Sequence, residues 1–381
     1  MSRIKGFFIG FMFCALFHMW VFGWSEWAQQ VVMKVEGVIY TLQDTDESAL
    51  EEQLSNPLNE DEREQDDEWG HQEQTSPDNS DHIDTTLFIG EDAQIHMGMG
   101  KTEVEQVLGS PDRQEPSAYG YNWWVYNQDP DAYIQLGFED DTLVTLYSNG
   151  TQWSWKGLRP GMPMESDDLK SFKKRTSFNH DLGFFSFELT DEEFEQKPLR
   201  LIDDMAIQVY IDIHDENRIS GIRLMTQEVL LRHRPYSLTY TGQLPTPPDI
   251  DEETWQNIET AYERQIFDVT NVFRHRHQLP MLTWHDEVSL VAKGHSSDMY
   301  IEDFFDHVSP KHGDLQQRLQ ENEVAHRLAG ENIAWNYVDG VDALEGWVNS
   351  LGHRENLLKE SFESLGVGVV QKYYTQNFVT E

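Results

Sequence analysis

One pattern occurs twice between about residues 88 and 228, and no other feature constrains the fold as much. It consists of a Gly-Met turn, a short helical segment and a closing strand, acidic turn and strand. The first copy runs from IHMGMGKTEVEQVLGSPDR to YIQLGFEDDTLVTLYS, the second from LRPGMPMESDDLKSF to VYIDIHDENRISGIRL. Gly98-Met99 aligns with Gly161-Met162, and the turn at Asp140-Asp141 with that at Asp215-Glu216. A unit that ends each time in a hairpin predicts an α+β doubled-repeat domain over residues 87–230. The duplication also removes a decoy. GMGKT resembles the end of a phosphate-binding loop, but that motif needs a glycine where Ile95 stands, and the second copy reads PGMPMES, so spacing argues against nucleotide binding.

Upstream, composition shifts abruptly. Between residues 44 and 84 there are sixteen acidic residues against the single basic Arg63. Such a stretch cannot bury enough apolar surface to fold and repels itself, so residues 25–86 are expected to be an acidic, disordered linker. The first 24 residues place Arg3 and Lys5 before an apolar run from Gly6 to Trp24. That run nearly spans a hydrocarbon core, and its positive flank predicts a single-pass anchor, with residues 1–5 cytoplasmic and the remainder extracellular. The alternative is a cleaved signal peptide and a secreted product. Bulky Trp20, Phe22 and Trp24 where a small-x-small site would stand favour the anchor. The net charge of −40 argues against a nucleic-acid partner. Cys14 is the only cysteine, so an exported domain must hold together by packing without a disulfide.

After a connector over 231–249, rich in proline at its end, residues 250–381 carry a second set of signals. Trp255, Ile258, Tyr262, Ile266, Val269 and Phe273 recur every three or four residues and predict a long amphipathic helix. A second helix carries Val288, Val291, His295 and Met299 on one stripe, and a third, at 341–349, turns Leu344 and Trp347 inward. Strands are expected at 332–337, 365–370 and 373–379. Helices flanking a small sheet imply a three-layer α/β/α arrangement. Glu331, in LAGENIAWNY, then places a carboxylate where a buried strand should begin, and an unpaired buried charge costs several kcal/mol.

The segments FFDHVSP, AGENIAW, WVNSLGHRENLL and FESLGVGVVQKYYTQNFV resemble, in order and spacing, the bacterial members of the CAP superfamily, also called the SCP or cysteine-rich secretory protein family. The doubled unit is similar to the CAP-associated N-terminal domain of Gram-positive, Bacillus-type proteins. The resemblance implies an α-β-α sandwich with a cleft lined by two histidines and two glutamates. Carried over by position, His307 and His353 are the histidines and Glu331 the first glutamate, while the second glutamate falls on Ser350. Glu345, two residues before Trp347, projects from another part of its helix and is no substitute. The resemblance also implies a role in binding or interaction at the cell envelope, or in a process such as sporulation, with an envelope component or protein as ligand.

Three readings of this cluster stand side by side. In the first it is a structural hydrogen-bonded seam. In the second His307, Glu331 and His353 hold zinc or another divalent cation, with a fourth position for water. In the third Ser309 or Ser350 is activated by a histidine, making the alternative a metal-assisted or serine hydrolase of peptide, peptidoglycan or lipid ester; no G-x-S-x-G elbow supports it. His295 reads as a core histidine, FRHRHQ with His275 and His277 as a solvated helix end, His312 and Asp314 as a loop cap, and Trp123 and Trp124 as core or hairpin residues. Lipid capture is a further possibility for such a domain.

Overall fold

A computed structural model describes residues 86–89 and 93–381; the expected anchor and nearly all of the acidic linker lie outside the described residues. The first region comprises β1 (Thr86–Ile89), β2 (Ala93–His96), α1 (Lys101–Leu108), β3 (Arg113–Pro116), β4 (Asn122–Tyr126), β5 (Ile134–Glu139), β6 (Thr142–Ser148), β7 (Trp153–Ser154), α2 (Ser166–Leu169), β8 (Arg175–His180), β9 (Gly183–Glu188), α3 (Asp191–Gln196), β10 (Leu199–Ile202), β11 (Met205–Asp212), β12 (Arg218–Thr226), α4 (Gln227–His233) and β13 (Ser237–Gly242). The second comprises α5 (Glu252–Arg276), β14 (Thr283–Trp284), α6 (Asp286–Glu302), α7 (Leu315–Glu321), β15 (Leu328–Trp335), α8 (Gly340–Val348), α9 (Leu351–Leu357), β16 (Ser364–Val370) and β17 (Tyr373–Thr380).

The two repeats build one seven-stranded sheet, ordered β10-β11-β12-β6-β5-β4-β3. Their equivalent last strands, β6 and β12, meet antiparallel at its middle, with Leu146 opposite Leu224 and Tyr147 opposite Arg223. The Gly-Met turns do the same job in both copies. Gly98 N–H donates to Leu143 O at 2.9 Å and Leu143 N–H to Met99 O at 2.9 Å; Gly161 N–H donates to Ile219 O and Ile219 N–H to Met162 O, both at 2.8 Å. Gly98 and Gly161 have φ of 86° and 88°, a left-handed backbone that glycine adopts without steric cost. The repeats diverge elsewhere, because the second copy sends β8 and β9 into a separate sheet with β13. The expected connector is therefore partly a strand, with β13 paired along the whole of β9. Lys101 of GMGKT is spent on the carbonyl of Asp140 in the hairpin turn, consistent with the rejected phosphate loop.

The second region is the expected sandwich around a sheet ordered β14-β16-β17-β15, with β14 an additional strand. Leu365, Val367 and Val369 share a core with Tyr262, Ile266, Val269 and Phe273 of α5 and with Leu344 and Trp347 of α8. The alternate residues of β16 face α6: a Cβ on Gly366 or Gly368 would collide with the α6 backbone at Ser289 and Lys293. That close approach explains the glycine alternation in SLGVGVV. On the α6 side, Val288, Val291, Leu319, Val324 and Val379 form a smaller core.

The two regions are fused. The described residues fall in one compact unit, and a single apolar core runs from Tyr121, Tyr147 and Tyr210 of the repeats to Tyr262, Trp347 and Tyr374 of the sandwich. Charged groups cross the seam. Arg223 Nη2 donates to both oxygens of Asp339 at 2.8 and 3.0 Å, with both side chains 1% exposed. Arg354 Nη1 meets Asp212 Oδ2 at 2.6 Å, and the Tyr147 hydroxyl donates to Glu345 Oε1 at 2.7 Å. The FRHRHQ segment is consequently a solvated helix end only in part: His275 is exposed, but the arginines are not free in water. Arg274 is fully buried and donates to the carbonyls of Pro280, Leu357 and Lys359, and Arg276 reaches Ser220 O across the seam. The repeat domain and the loop after α9 cover what an isolated helix would leave in water.

Candidate functional site

Glu331 lies mid-strand rather than at a strand start: β15 begins at Leu328, and Glu331 pairs with Asn377 of β17. Its side chain points to the α6 and α7 side and is buried, and its principal partner is a residue that sequence reasoning missed. Arg318 of α7 donates through Nη2 to Glu331 Oε2, and both side chains are 4% exposed. The same guanidinium uses Nη1 to hold the carbonyls of His307 at 2.9 Å and Gly313 at 2.8 Å. One arginine therefore fastens strand, loop and helix together. The helix that carries it is set by its N-cap, Asp314, which accepts from Gln317 N–H at 2.9 Å. With its amide nitrogen turned toward the carboxylate, Asn377 donates to the same Glu331 oxygen at 2.9 Å.

The other oxygen faces histidines. His307 Nδ1 lies 3.0 Å from Glu331 Oε1, with the ring half exposed. His295 Nε2 lies 3.9 Å from Oε1 and 3.0 Å from Asp306 O, in a fully buried ring. His295 is thus both a core histidine and a wall of this site. Burial pushes its imidazole below the ordinary value although Glu331 acts the other way. The outer ring, His353, packs on His307 with centroids 6.3 Å apart and has no side-chain hydrogen bond among the described residues. Partial burial, with His307 beside it, keeps it neutral to lower pH than a free imidazole.

Helix α9, which carries His353, is fixed to the sheet by a chain of amides. Asn356 donates to Glu331 O at 3.1 Å and Asn332 Oδ1 at 2.9 Å; Asn332 donates to His353 O at 3.1 Å and Gln376 Oε1 at 3.2 Å; Gln376 donates to Thr270 at 2.8 Å. These buried polar groups satisfy one another, so the histidine-bearing wall is pre-organised. Ser350 is the N-cap of α9 but forms no side-chain cap hydrogen bond. Glu345 faces the repeat domain and not this cleft.

The chemistry of this arrangement follows from what is already taken. Ser309 is buried, donates to Asp298 and accepts from Lys311 and His312 N–H groups at 3.1 and 2.9 Å, so its hydroxyl organises a loop and contacts no histidine ring. The ligand atoms of His307, Glu331 and His353 do not all lie within 4.8 Å of one another, and a guanidinium already neutralises the shared carboxylate. As arranged, the set does not fit a divalent ion. Among the described residues, the set that meets that spacing is Asp212, Asp215 and His277 at the seam. There Arg354 neutralises Asp212, and Arg218 lies 3.6 Å from Asp215, which makes the cluster an ion-pair junction.

Comparison with known proteins agrees with this architecture. The profile of the cysteine-rich secretory protein family, CAP, matches residues 267–381, and that of the CAP-associated N-terminal domain matches residues 97–236. An uncharacterized membrane protein of Bacillus subtilis, YlbC, is 42% identical over 287 residues, covering 74% of this chain and 82% of the relative. A second uncharacterized B. subtilis protein, YkwD, is 34% identical over 122 residues, 32% of this chain and 48% of the relative. The crystal structure of an extracellular SCP-domain protein from Bacillus anthracis superposes with a TM-score of 0.71 at 39% identity, covering 82% of this chain and all of that one. A cysteine-rich secretory protein from Staphylococcus aureus shares the fold, with a TM-score of 0.65 at 22% identity over 75% of this chain and 94% of that one. The chain belongs to the CAP, or cysteine-rich secretory protein, family, and carries a CAP-associated N-terminal domain ahead of its CAP domain.

Proposed function

We propose that this protein is a binding module of the cell envelope, held at the membrane by its N-terminal segment with both folded regions outside, and that its CAP cleft recognises a ligand without turning it over. One observation carries the reading. The buried carboxylate Glu331 is already met by Arg318 and His307, whereas His353 and the outer edge of His307 remain uncommitted at an open surface. Ser309, one of the two serines a histidine base could activate, is committed to Asp298 and to the loop it organises. Support for the location comes from the apolar N-terminal run and from two relatives, one named a membrane protein and one described as extracellular. Among the described residues no helix is long and apolar enough to cross a membrane, so an anchor rests on residues 1–24.

Co-sedimentation of residues 86–381, which lack the N-terminal apolar segment, with purified membrane and wall fractions tests the cleft. Wild type is expected to be retained, and a His307→Gln/His353→Gln variant with unchanged thermal unfolding to be released. Equal retention of both removes the cleft from the contact. Protease added to intact cells tests the topology: digestion of the CAP domain beside a protected internal control is expected, and protection of both would place the domain inside.

A second reading, a zinc or similar ion shared by His307, Glu331 and His353, has the facing imidazoles in its favour. It requires Glu331 to exchange Arg318 for the ion, so stoichiometric binding lost in a folded Glu331→Gln variant would support it.

A further inference from the structure

A second concavity lies outside the histidine cleft, between the N-terminal half of α5, the middle of α6 and the turn joining β16 to β17. It encloses about 500 Å³, and its lining includes Gln256, Asn257, Lys293, Tyr300 and Gln371. That volume falls within the range of small-molecule sites. The lining is polar except for Tyr300 and Val370, which disfavours an acyl chain or an apolar peptide.

Its one aromatic wall is held in place. Tyr300 is 50% exposed, and its ring lies 6.2 Å from Tyr373, which in turn stacks on Trp335 at 5.9 Å with the planes 29° apart. Trp335 and Tyr373 are also partners in the β15–β17 ladder. Backed in this way, Tyr300 presents a ring face that loses little rotamer freedom when something stacks on it.

The polar lining divides into braced and available groups. Lys293 meets Glu263 at 2.9 Å and lies 3.8 Å from Glu259, while Glu259 also accepts from Gln371 N–H at 2.7 Å. These interactions fix the floor of the groove. The side-chain amides of Asn257 and Gln371, by contrast, make no hydrogen bond within the described residues, and each offers a donor and an acceptor in one plane. A pair of neighbouring hydroxyls needs that combination, since each hydroxyl both donates and accepts. The net charge of −40, with Glu252 and Glu259 in the lining, repels polyanions.

We propose that this groove is a binding site for an uncharged oligosaccharide, with one pyranose ring stacked on Tyr300 and its hydroxyls read by Asn257 and Gln371. The site is separate from the histidine cleft and stands without the reading given above for that cleft.

Saturation-transfer NMR on the full chain, in a detergent without a sugar head group, tests it with triacetylchitotriose, cellotriose and maltotriose as probes. At least one is expected to bind saturably at millimolar concentration or below. Tyr300→Ala should weaken that binding about tenfold, Tyr300→Phe should preserve it, and Asn257→Ala should weaken it severalfold. Both residues are exposed, so these variants are expected to unfold at the wild-type temperature. His307→Gln/His353→Gln should leave saccharide binding unchanged. No saturable binding of any probe up to about 10 mM, where a useful site should be occupied, would overturn the proposal. Binding indifferent to both Tyr300→Ala and Asn257→Ala would overturn it as well.

Discussion

The seam between the two regions and the CAP cleft are built from the same residue types and put them to opposite use. At the seam, Arg223 and Asp339 are both 1% exposed and each answers the other with two hydrogen bonds. In the cleft the carboxylate is also buried, yet the groups around it step outward from Arg318 at 4% exposed to His307 at 51%. Burial of an acid is therefore common to both places. What distinguishes them is whether the partners of that acid still present free nitrogens to solvent.

The largest expected effect lies at the seam. Asp339→Ala leaves Arg223 as an uncompensated buried charge and should cost about 3–5 kcal/mol in chemical unfolding, whereas Arg223→Met/Asp339→Leu should recover most of it. A single-variant cost below about 1 kcal/mol would mean that water reaches the seam. Next comes Arg318→Gln, which strips Glu331 of its guanidinium. A loss of about 3 kcal/mol is expected, with increased affinity for divalent ions; stability unchanged from wild type would show that the histidines alone satisfy the carboxylate.

Glu345 supplies the third test. Burial is the main reason its pKa is raised from 4.5 to about 7, against hydrogen bonds from Ser220 and Tyr147 and the nearby Arg276, with Asp212 reinforcing the rise. A carboxyl whose folded pKa is raised contributes stability that is fully present below its unfolded pKa and is lost as pH rises through the folded one. Wild type should therefore lose roughly 2–3 kcal/mol between about pH 4.5 and 7 relative to Glu345→Gln, and the variant should be the more stable at pH 8. Parallel stability curves for the two proteins would remove Glu345 from the pH response. The smallest effect belongs to the cleft rim. His353→Gln should change unfolding free energy by less than about 0.5 kcal/mol while weakening envelope retention; a larger stability loss would make His353 structural.

Much of this molecule could be read from its sequence, and what escaped did so for definite reasons. The repeats were legible because Gly98-Met99 and Gly161-Met162 recur at matching offsets from their hairpins. His307, Glu331 and His353 were legible through motif order. Arg318 was not, because a buried arginine on a short helix looks like any amphipathic surface residue until its carboxylate is seen beyond the helix. The basic end of α5 misled for the converse reason: Arg274 resembles a solvated charge but is buried against the carbonyls of Pro280, Leu357 and Lys359 in its own region, while Arg276, half-buried, reaches Ser220 of the other. Glu331 looked like a strand start because the preceding Gly330 suggested a boundary, whereas the backbone pairing continues back to Leu328.

Arg318 is the counter-charge of Glu331, in the place a metal ion would otherwise take. Isothermal titration of zinc into the full chain, beside Glu331→Gln and Arg318→Gln, tests this most directly. The prediction is that wild type takes up no zinc that Glu331→Gln abolishes, and that Arg318→Gln gains a site. Stoichiometric zinc binding by wild type, lost in a folded Glu331→Gln variant, would contradict it and make the cleft a metal centre.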